Sequence, residues 1–404
     1  MPFLEKDKIV ISLSLERDGV MPGERVTGCV NVVVIEEIKF STLRVHVVGE
    51  EMMYRRRERY NQLGPGGNSL YNSNGLYNNN NGLYNNNNQL YSTSSEIERS
   101  THSIIDRYKT LLGQQTNHDR PGSFHLEPGN YSYPFSILLP TDLPPTYSVQ
   151  ECDYGGHIKY TVKAVVDIPM GFDGKAKAAL MVYKMAPLSQ VFAVRAAPVV
   201  VRPVCSEIGT IGCGGFFCGH EENSYLRTMV MITPNIAVLN RSVAATFPPS
   251  TAAVPRLLSK KGGVTGPAPP PIPVPSDPSV ITVRVLVDNR TKSSAVAAAQ
   301  VKLTQHLSYS GGIHHSFCLV NRVIGFESGV LRPGQSTAVD CSLNLGTGGG
   351  STAAALPTFS AHYVRVWTSL EVTYPHVKAD DTLYKRDLIH LVTGIDATNT
   401  ASPV

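Results

Sequence analysis

The sequence lacks the common signatures of membrane-spanning and catalytic proteins. None of its apolar runs reaches about 18 residues, the length that a helix needs to cross a bilayer. It contains no Gly-x-Gly-x-x-Gly after a strand, no phosphate-binding loop, no Gly-x-Ser-x-Gly and no His-Glu-x-x-His. Ser, His and Asp residues occur throughout without informative spacing. We therefore expect a protein that is not an enzyme and that needs no cofactor.

The sequence also has no large excess of basic over acidic residues or the reverse. The 404 residues include 36 Lys and Arg against 32 Asp and Glu, a formal net charge of +4. Nucleic-acid-binding domains concentrate basic residues on one face, so we expect no nucleic-acid partner. The seven cysteines are an odd number scattered over a long chain, which favours reduced thiols. Residues 1–19 contain no apolar signal core, and we expect a cytoplasmic protein.

Helical periodicity is nearly absent, and alternation of apolar and polar residues takes its place. This alternation, rich in Val, Ile, Thr and Tyr, predicts strands with one buried face. IIDRYKTLLG (104–113) is predicted as a short helix that ends at Gly113, and LSQVFAVRA (188–196) is predicted as a strand. Clear strand segments are KIVISLSLERD (8–18), ERVTGCVNVVV (24–34), STLRVHVVGEE (41–51), HIKYTVKAVVDI (157–168), VITVRVLVDN (280–289) and HYVRVWTSLEVTY (362–374).

Many short antiparallel strands without helices to cover them imply sheets packed face to face, and the length exceeds one ordinary core. We predict an all-β protein of two tandem antiparallel β-sandwich domains with loop insertions. The predicted boundaries are an N-terminal sandwich at 1–195 with an Asn-rich insertion at 61–95, a Cys-, Gly- and Pro-rich hinge at 196–222, a C-terminal sandwich at 223–374 with a Pro-rich insertion at 260–278, and a short tail at 375–404.

The two insertions have different compositions. The segment 61–95 holds four Leu-Tyr pairs among asparagines and cannot bury enough apolar surface to order itself, so we predict a disordered loop. KKGGVTGPAPPPIPVPSDP (260–278) is predicted as a polyproline II spacer. Its Pro270 and Pro273 could also serve as a ligand for an SH3-domain protein, and both interpretations stay open.

Five segments together resemble one family. They are LERDGVMPGERVTGCVNV (15–32), LEPGNYSYPFSILLPTDLPPTYSV (126–149), GGHIKYTVKAVVD (155–167), ITVRVLVDNRTKSS (281–294) and the run from VLRPGQSTAVDCSLNLG to VTY (330–374). Their order is similar to that of the arrestin superfamily, most closely the arrestin-domain-containing proteins, or alpha-arrestins.

The resemblance implies two immunoglobulin-like β-sandwiches and an adaptor that links membrane-protein cargo to endocytic or endosomal sorting machinery. Recruitment to the plasma membrane or endosomes, and a link to a ubiquitin ligase, would follow from the same likeness. Family members that recruit ligases carry Pro-Pro-x-Tyr motifs in a long C-terminal tail, which we do not find after residue 374. Two alternatives are a retromer-type constitutive coat subunit and a metal-binding enzyme at the hinge.

LPPTY (143–147) contains such a Pro-Pro-x-Tyr sequence, formed by Pro144, Pro145 and Tyr147. As an exposed peptide it would suit a WW-domain protein, which grips a polyproline II helix. It lies between two predicted strands, however, where the Tyr147 ring is better used in packing. We favour the structural interpretation.

Arg17 and Asp18 match the Arg-Asp pair of the family's first strand and turn. In visual and beta-type arrestins such an Asp belongs to a phosphate-sensitive cluster between the domains, so Asp18 is the one interdomain polar candidate. The corresponding sensor strand, AKAALMVYKMAP (176–187), has lysines but no Arg, and the loop LGTGGGSTAAALP (345–357) has no acid. We therefore predict that Asp18 is an ordinary turn residue.

Four hinge residues could hold a metal, namely Cys205, Cys213, Cys218 and His220. Their number suits zinc, but structural zinc sites pair their ligands at closer and more regular spacing. Acylation of these cysteines beside Phe216 and Phe217 is a further interpretation. We expect an incidental or structural role and no metal.

Two further segments are candidates for partner binding. Leu388 and Ile389, in LIHL, resemble a clathrin-binding peptide without the acid that the motif wants, which would make a clathrin-type coat component the partner. Arg55, Arg56 and Arg57 form a basic run that could touch anionic lipid, in a peripheral membrane association, or phosphorylated tails. A solvated loop edge is the default interpretation of this run.

Overall fold

The computed structural model of the protein describes most of the chain. Within it, no helix is long and apolar enough to cross a bilayer. Contacts divide the chain into two compact units, the first comprising Met1–Val20, Arg25–Leu139 and Thr146–Met181, the second Met21–Glu24, Pro140–Pro145 and Val182–Val404. The described residues are 8–62, 83–84, 90–113, 124–168, 174–196, 198–207, 225–239, 250–252, 271–291, 294–327, 329–345, 355–375, 383–386 and 389–396.

The first unit is a sandwich of two sheets. Its strands are β1 (Ile9–Leu15), β2 (Gly19–Val20), β3 (Arg25–Val34), β4 (Ile38–Phe40), β5 (Thr42–Gln62), β6 (Leu83–Tyr84), β7 (Leu90–Leu112), β8 (Phe124–Leu126), β9 (Gly129–Leu138), β10 (Tyr147–Gln150), β11 (Tyr154–Asp167) and β12 (Gly174–Val182). One sheet has the order β1-β3-β9 and the other β2-β12-β11-β5-β7-β6, with β10 beside β11, while β4 pairs with β8.

Alternation in the sequence places the core of this unit. In β3, Val26, Val30 and Val32 are at most 1% exposed, and the odd-numbered residues between them face outward. Gly28 occupies the remaining inward position of this series. A Cβ atom there would lie 2.3 Å from the carbonyl oxygen of Ser14 and 2.8 Å from Cζ of Phe135. Glycine is therefore what lets β1 and the Phe135 ring approach β3 this closely.

The second unit contains one helix among its described residues. Its elements are β13 (Met185–Pro187), α1 (Leu188–Ala196), β14 (Val199–Glu207), β15 (Tyr225–Thr233), β16 (Ile236–Val238), β17 (Ser250–Ala252), β18 (Ile272–Val274), β19 (Val280–Arg290), β20 (Ala298–Tyr309), β21 (Ile313–Gly325), β22 (Ser336–Asn344), β23 (Phe359–Ser360), β24 (Val364–Thr373), β25 (Leu383–Arg386), β26 (His390–Val392) and β27 (Gly394–Asp396).

Two sheets enclose the core of the second unit. One has the order β14-β15-β19-β22, and the other has the order β21-β20-β24-β23 with β25 beside β24. Alternate residues of β19, such as Val283 and Val285, are fully buried and share a cluster with Val301 and Leu303 of β20 in the opposite sheet. The prediction of an all-β protein built from packed antiparallel sheets is confirmed.

The helix predicted at 104–113 is wrong. These residues belong to β7, which pairs along its length with β5. Only Ile105 of the segment is buried, at 6% exposed, while Tyr108 is 55% exposed. The spacing of the apolar residues fits a helix face, but the long ladder of β5 provides partners for the backbone instead. Gly113 does follow the last residue of the element, with φ of 99°.

The strand predicted at 188–196 is also wrong, because these residues form α1. Val191 is 2% and Arg195 is 5% exposed, whereas Phe192 is 52% exposed. Burial at i and i+4 is the spacing of a helix face. Val191 packs in a cluster with Ile236 of β16, and this tertiary contact decides a segment whose sequence pattern is short and ambiguous.

Parts of the predicted insertions and tail are ordered strands. In the Asn-rich segment, the described residues 61–62, 83–84 and 90–95 belong to β5, β6 and β7. In the Pro-rich segment, Ile272 and Val274 are buried in β18, which pairs with β17, so this part is not a polyproline II spacer. In the predicted tail, β26 pairs in parallel with β16, and β27 with β13.

The first prediction concerns the burial of β26. Leu391 is fully buried in the core cluster of the second unit, so Leu391→Ala should lower the free energy of unfolding by about 2–5 kcal/mol in urea denaturation. The neighbouring His390 is exposed, and His390→Ala should change stability by less than about 0.5 kcal/mol. Equal stability of the two variants would show that β26 is not packed as described.

A second prediction concerns the contact of β1 with β3. Gly28→Ala should lower the free energy of unfolding by about 1–3 kcal/mol, because the added methyl group overlaps the backbone of Ser14. Gly325→Ala is the matched control, since a Cβ atom at Gly325 meets nothing within 4 Å. The measurement is the thermal unfolding midpoint of each variant. No difference between the two would contradict the close packing at Gly28.

Candidate functional site

The open edge of β1 is the candidate docking site. In the described part of the chain β1 pairs only with β3. At its ends, Glu16 N–H donates to Thr27 O at 3.1 Å, and Ile35 N–H donates to Lys8 O at 2.9 Å. Hydrogen-bonded pairs alternate along an antiparallel ladder, so the even-numbered residues bond to β3. The N–H and C=O groups of the odd-numbered residues in Ile9–Leu15 therefore point to the open edge.

The side chains of those odd-numbered residues face the other sheet. Ile9 is buried, but Ile11, Leu13 and Leu15 are only partly covered. A Cβ atom on Gly174 would lie 2.4 Å from Cδ1 of Ile11, which places the start of β12 directly beside β1. An added strand could thus bond to the backbone of β1 and cover its apolar side chains at the same time.

The outward-facing side chains of β1 are Val10, Ser12 and Ser14, none of them charged. Val10 is 54% exposed and is paired in register with Val33, which is 40% exposed. A partner strand at this edge would therefore be held by main-chain hydrogen bonds and apolar contact, and charge on β1 itself would contribute little to its selection.

The LPPTY segment is folded into the protein. Tyr147 is 3% and Leu143 is 7% exposed, Pro145 is buried, and Pro144 is partly exposed. Tyr147 begins β10, where it is paired in register with Ile158 of β11. A WW domain needs the proline and tyrosine rings on an accessible extended peptide, and this fold does not offer them in that form.

Each arginine of the basic run already has an acidic partner. Arg55 Nε lies 2.6 Å and Arg57 Nε lies 2.9 Å from the same Glu98 oxygen. Arg56 Nη1 lies 3.5 Å from Asp153, and the Arg56 N–H donates to the Asp153 carbonyl at 2.6 Å. The two carboxylates of Glu98 and Asp153 thus partly offset the three arginines, and contact of these arginines with anionic lipid stays a prediction.

Asp18 lies in the turn between β1 and β2 with an exposed side chain. Its carbonyl oxygen accepts the Met181 N–H at 2.8 Å, which continues the pairing of β2 with β12. The backbone of Asp18 therefore has a structural use in the first unit. An interdomain role of its carboxylate stays a prediction.

Most of the candidate metal ligands fall outside the described residues. Cys213, Cys218 and His220 lie there, while the backbone of Cys205 is paired with Arg227 between β14 and β15. Among the residues that the structure does describe, no group of three His, Cys, Asp or Glu side chains could hold a metal ion. The expectation that this series binds no metal therefore stays a prediction.

Of the remaining partner-binding candidates, some lie among the described residues and some lie outside them. Ile389 is fully buried in the core of the second unit, so its side chain is not displayed to a coat component as the sequence interpretation required. Leu388 lies outside the described residues. Pro273 is exposed in the middle of β18, and Pro270 lies outside the described residues.

Sequence reasoning missed a group of basic residues on one sheet face. Lys163 of β11 is paired in register with Lys177 of β12 on one side and with His46 of β5 on the other. These residues are far apart in sequence and form no charged run. The signal available was alternation, which places Lys163 and Lys177 on the outward side of two successive predicted strands.

Comparison with known proteins agrees with this architecture. Residues 9–189 match the family model described as arrestin (or S-antigen), N-terminal domain. A search of the curated proteins found no match. The alpha-arrestin branch stays a prediction. The family match covers the sandwich of the first unit and supports the resemblance of this part of the chain to the arrestin superfamily.

Proposed function

We propose that this protein is a cytoplasmic adaptor that binds an extended cytoplasmic segment of a membrane protein along β1. It links that cargo to endocytic or endosomal sorting machinery and is recruited to the plasma membrane or endosomes with it. The observation that carries the proposal is the open backbone of the odd-numbered residues in Ile9–Leu15, next to partly covered apolar side chains.

The energetics of strand addition suit a reversible adaptor. Each main-chain hydrogen bond contributes about 0.5–1.5 kcal/mol net, and the apolar side chains of Ile11, Leu13 and Leu15 offer area that a partner strand would cover. These contributions are offset by the cost of ordering the incoming peptide. A peptide segment of a few residues would thus bind weakly and reversibly, and it could be released during sorting.

The proposal also allows partners that bind elsewhere on the protein while the cargo occupies β1. A ubiquitin ligase or a clathrin-type coat component would be brought to the cargo by the adaptor. Among the motifs considered for such partners, Pro273 is the one with an exposed ring in the described residues. An SH3-domain protein at Pro273 stays a proposal, because β18 presents that ring on a strand and not on a polyproline II helix.

A proline in β1 tests the docking edge. Leu13→Pro removes an N–H that points to the open edge, and proline is tolerated on edge strands at such positions. Leu13→Ala is the matched control, because it loses the same side chain and keeps the N–H. We expect proximity labelling in living cells to mark integral membrane proteins with the wild type and the alanine variant, and to lose them with the proline variant.

Direct binding then checks the same edge. Synthetic peptides that copy cytoplasmic segments of the labelled proteins should bind the purified protein in fluorescence anisotropy, at least about tenfold more weakly to Leu13→Pro than to Leu13→Ala. Labelling of soluble proteins alone, or equal binding to both variants, would contradict the proposal. A stable stoichiometric complex with one soluble partner on gel filtration would instead indicate a constitutive coat subunit.

A further inference from the structure

Two lysines face each other on the outward side of the seven-stranded sheet of the first unit. Lys163 and Lys177 are directly opposite in the register of β11 and β12. Side chains in such positions have Cβ atoms about 4.5–5.5 Å apart, and like charges there are destabilising. Of the ion pairs among the described residues, none involves Lys163 or Lys177. The fold therefore keeps an unfavourable pair that a bound anion would relieve.

The hydrogen-bond pattern makes this pair a close one. Met181 N–H donates to Asp18 O, so the odd-numbered residues of β12, Lys177 included, turn their backbone groups toward β2 and away from β11. Arg56 N–H donates to Asp153 O, so the odd-numbered residues of β11 bond to β5. Lys163 and Lys177 thus form a non-hydrogen-bonded pair, the kind in which cross-strand side chains are closer.

Further cations extend the pair on the same face. In the next cross-strand row, Lys175 is opposite Val165, which is opposite Arg44. Neighbouring strands are about 4.8 Å apart, and alternate residues of a strand are roughly 6.6 Å apart, so the four cations lie within roughly 10–15 Å. We call Arg44, Lys163, Lys175 and Lys177 the basic face.

Acidic residues only partly neutralise this group. Asp167 lies 3.7 Å from Arg44, and Asp106 lies 3.5 Å from Nδ1 of His46. Both carboxylates thus lie beside Arg44 and His46, and neither forms an ion pair with Lys163. The centre of the basic face keeps its positive potential.

The geometry points to an anionic lipid surface as the ligand, and we propose that the basic face docks the first unit on such a membrane. Its cations are spread over an outward sheet face and do not converge in a groove, and lysines act as flexible point charges that suit a diffuse negative surface. Tyr108, 55% exposed, ends the row of Lys177, Lys163 and His46. Tyrosine is enriched where membranes meet water.

This proposal does not rest on the peptide-docking edge. The basic face lies on the seven-stranded sheet, whereas the docking edge belongs to β1 in the other sheet. A lipid-binding assay with the protein alone needs no cargo. Leu13→Pro should keep its lipid binding, so failure of one proposal leaves the other standing.

Vesicle sedimentation of the full chain tests the lipid proposal. We expect binding to phosphatidylcholine vesicles that contain phosphatidylserine, no binding to phosphatidylcholine alone, and a decline as salt is raised. Lys163→Gln should weaken the binding about fivefold, the usual contribution of one basic residue near an anionic surface. Lys39→Gln, which removes an exposed lysine from β4, is the matched control and should change binding much less.

Charge reversal separates binding from folding. Lys163→Glu places a carboxylate opposite Lys177, so its thermal unfolding midpoint should equal or exceed that of the wild type while vesicle binding falls further than in Lys163→Gln. A loss of binding with a lowered midpoint, or equal effects of Lys163→Gln and Lys39→Gln, would overturn the assignment. The assignment would also be overturned if the protein bound a phosphoserine peptide through Lys163 and did not bind the vesicles.

Discussion

The register of β11 is the constraint on which the first unit depends. Tyr160 is opposite Gly49 of β5 and Leu180 of β12, and a Cβ atom at Gly49 would lie 2.6 Å from the Tyr160 ring. The ring therefore packs where β5 has no side chain. Burial raises the pKa of Tyr160, and the nearby charge of Glu51 adds to this, so the hydroxyl stays neutral. A slip of one residue would turn every side chain of β11 over, including Lys163.

The strands were predictable from the sequence wherever one face of the strand is buried and the other face is exposed to solvent. KIVISLSL and ERVTGCVNVVV alternate because β1 and β3 cover a core on one side only. The pattern failed in β7, where Tyr108 is exposed and Ile105 alone is buried, since pairing with a long neighbour decides such a segment. It failed again in α1, where contact of Val191 with Ile236 selects a helix. In both cases the deciding partner is distant in sequence.

The candidate sites were harder to predict, because adjacency in sequence is a poor guide to a surface. Arg55 and Arg57 look like a basic patch in the sequence, yet both lie beside Glu98 on the neighbouring strand. Lys163 and Lys177 form no charged run in the sequence, yet the antiparallel pairing of β11 with β12 brings them opposite each other. The open edge of β1 could not be predicted from the sequence either, since a sequence does not say which strand will lack a second neighbour.

The two proposed surfaces of the first unit suit each other physically. Gly174, at the start of β12, lies against Ile11 of β1, so the docking edge and the strand that carries Lys175 and Lys177 are neighbours on different sheets. Cytoplasmic segments of membrane proteins begin next to a negatively charged leaflet. A protein held on that leaflet by weak lysine contacts meets such segments at a high effective concentration, and two weak contacts then combine into a stronger attachment. Loss of either contact removes this combined gain and leaves only the weaker attachment of the other surface, so the adaptor can leave its cargo readily.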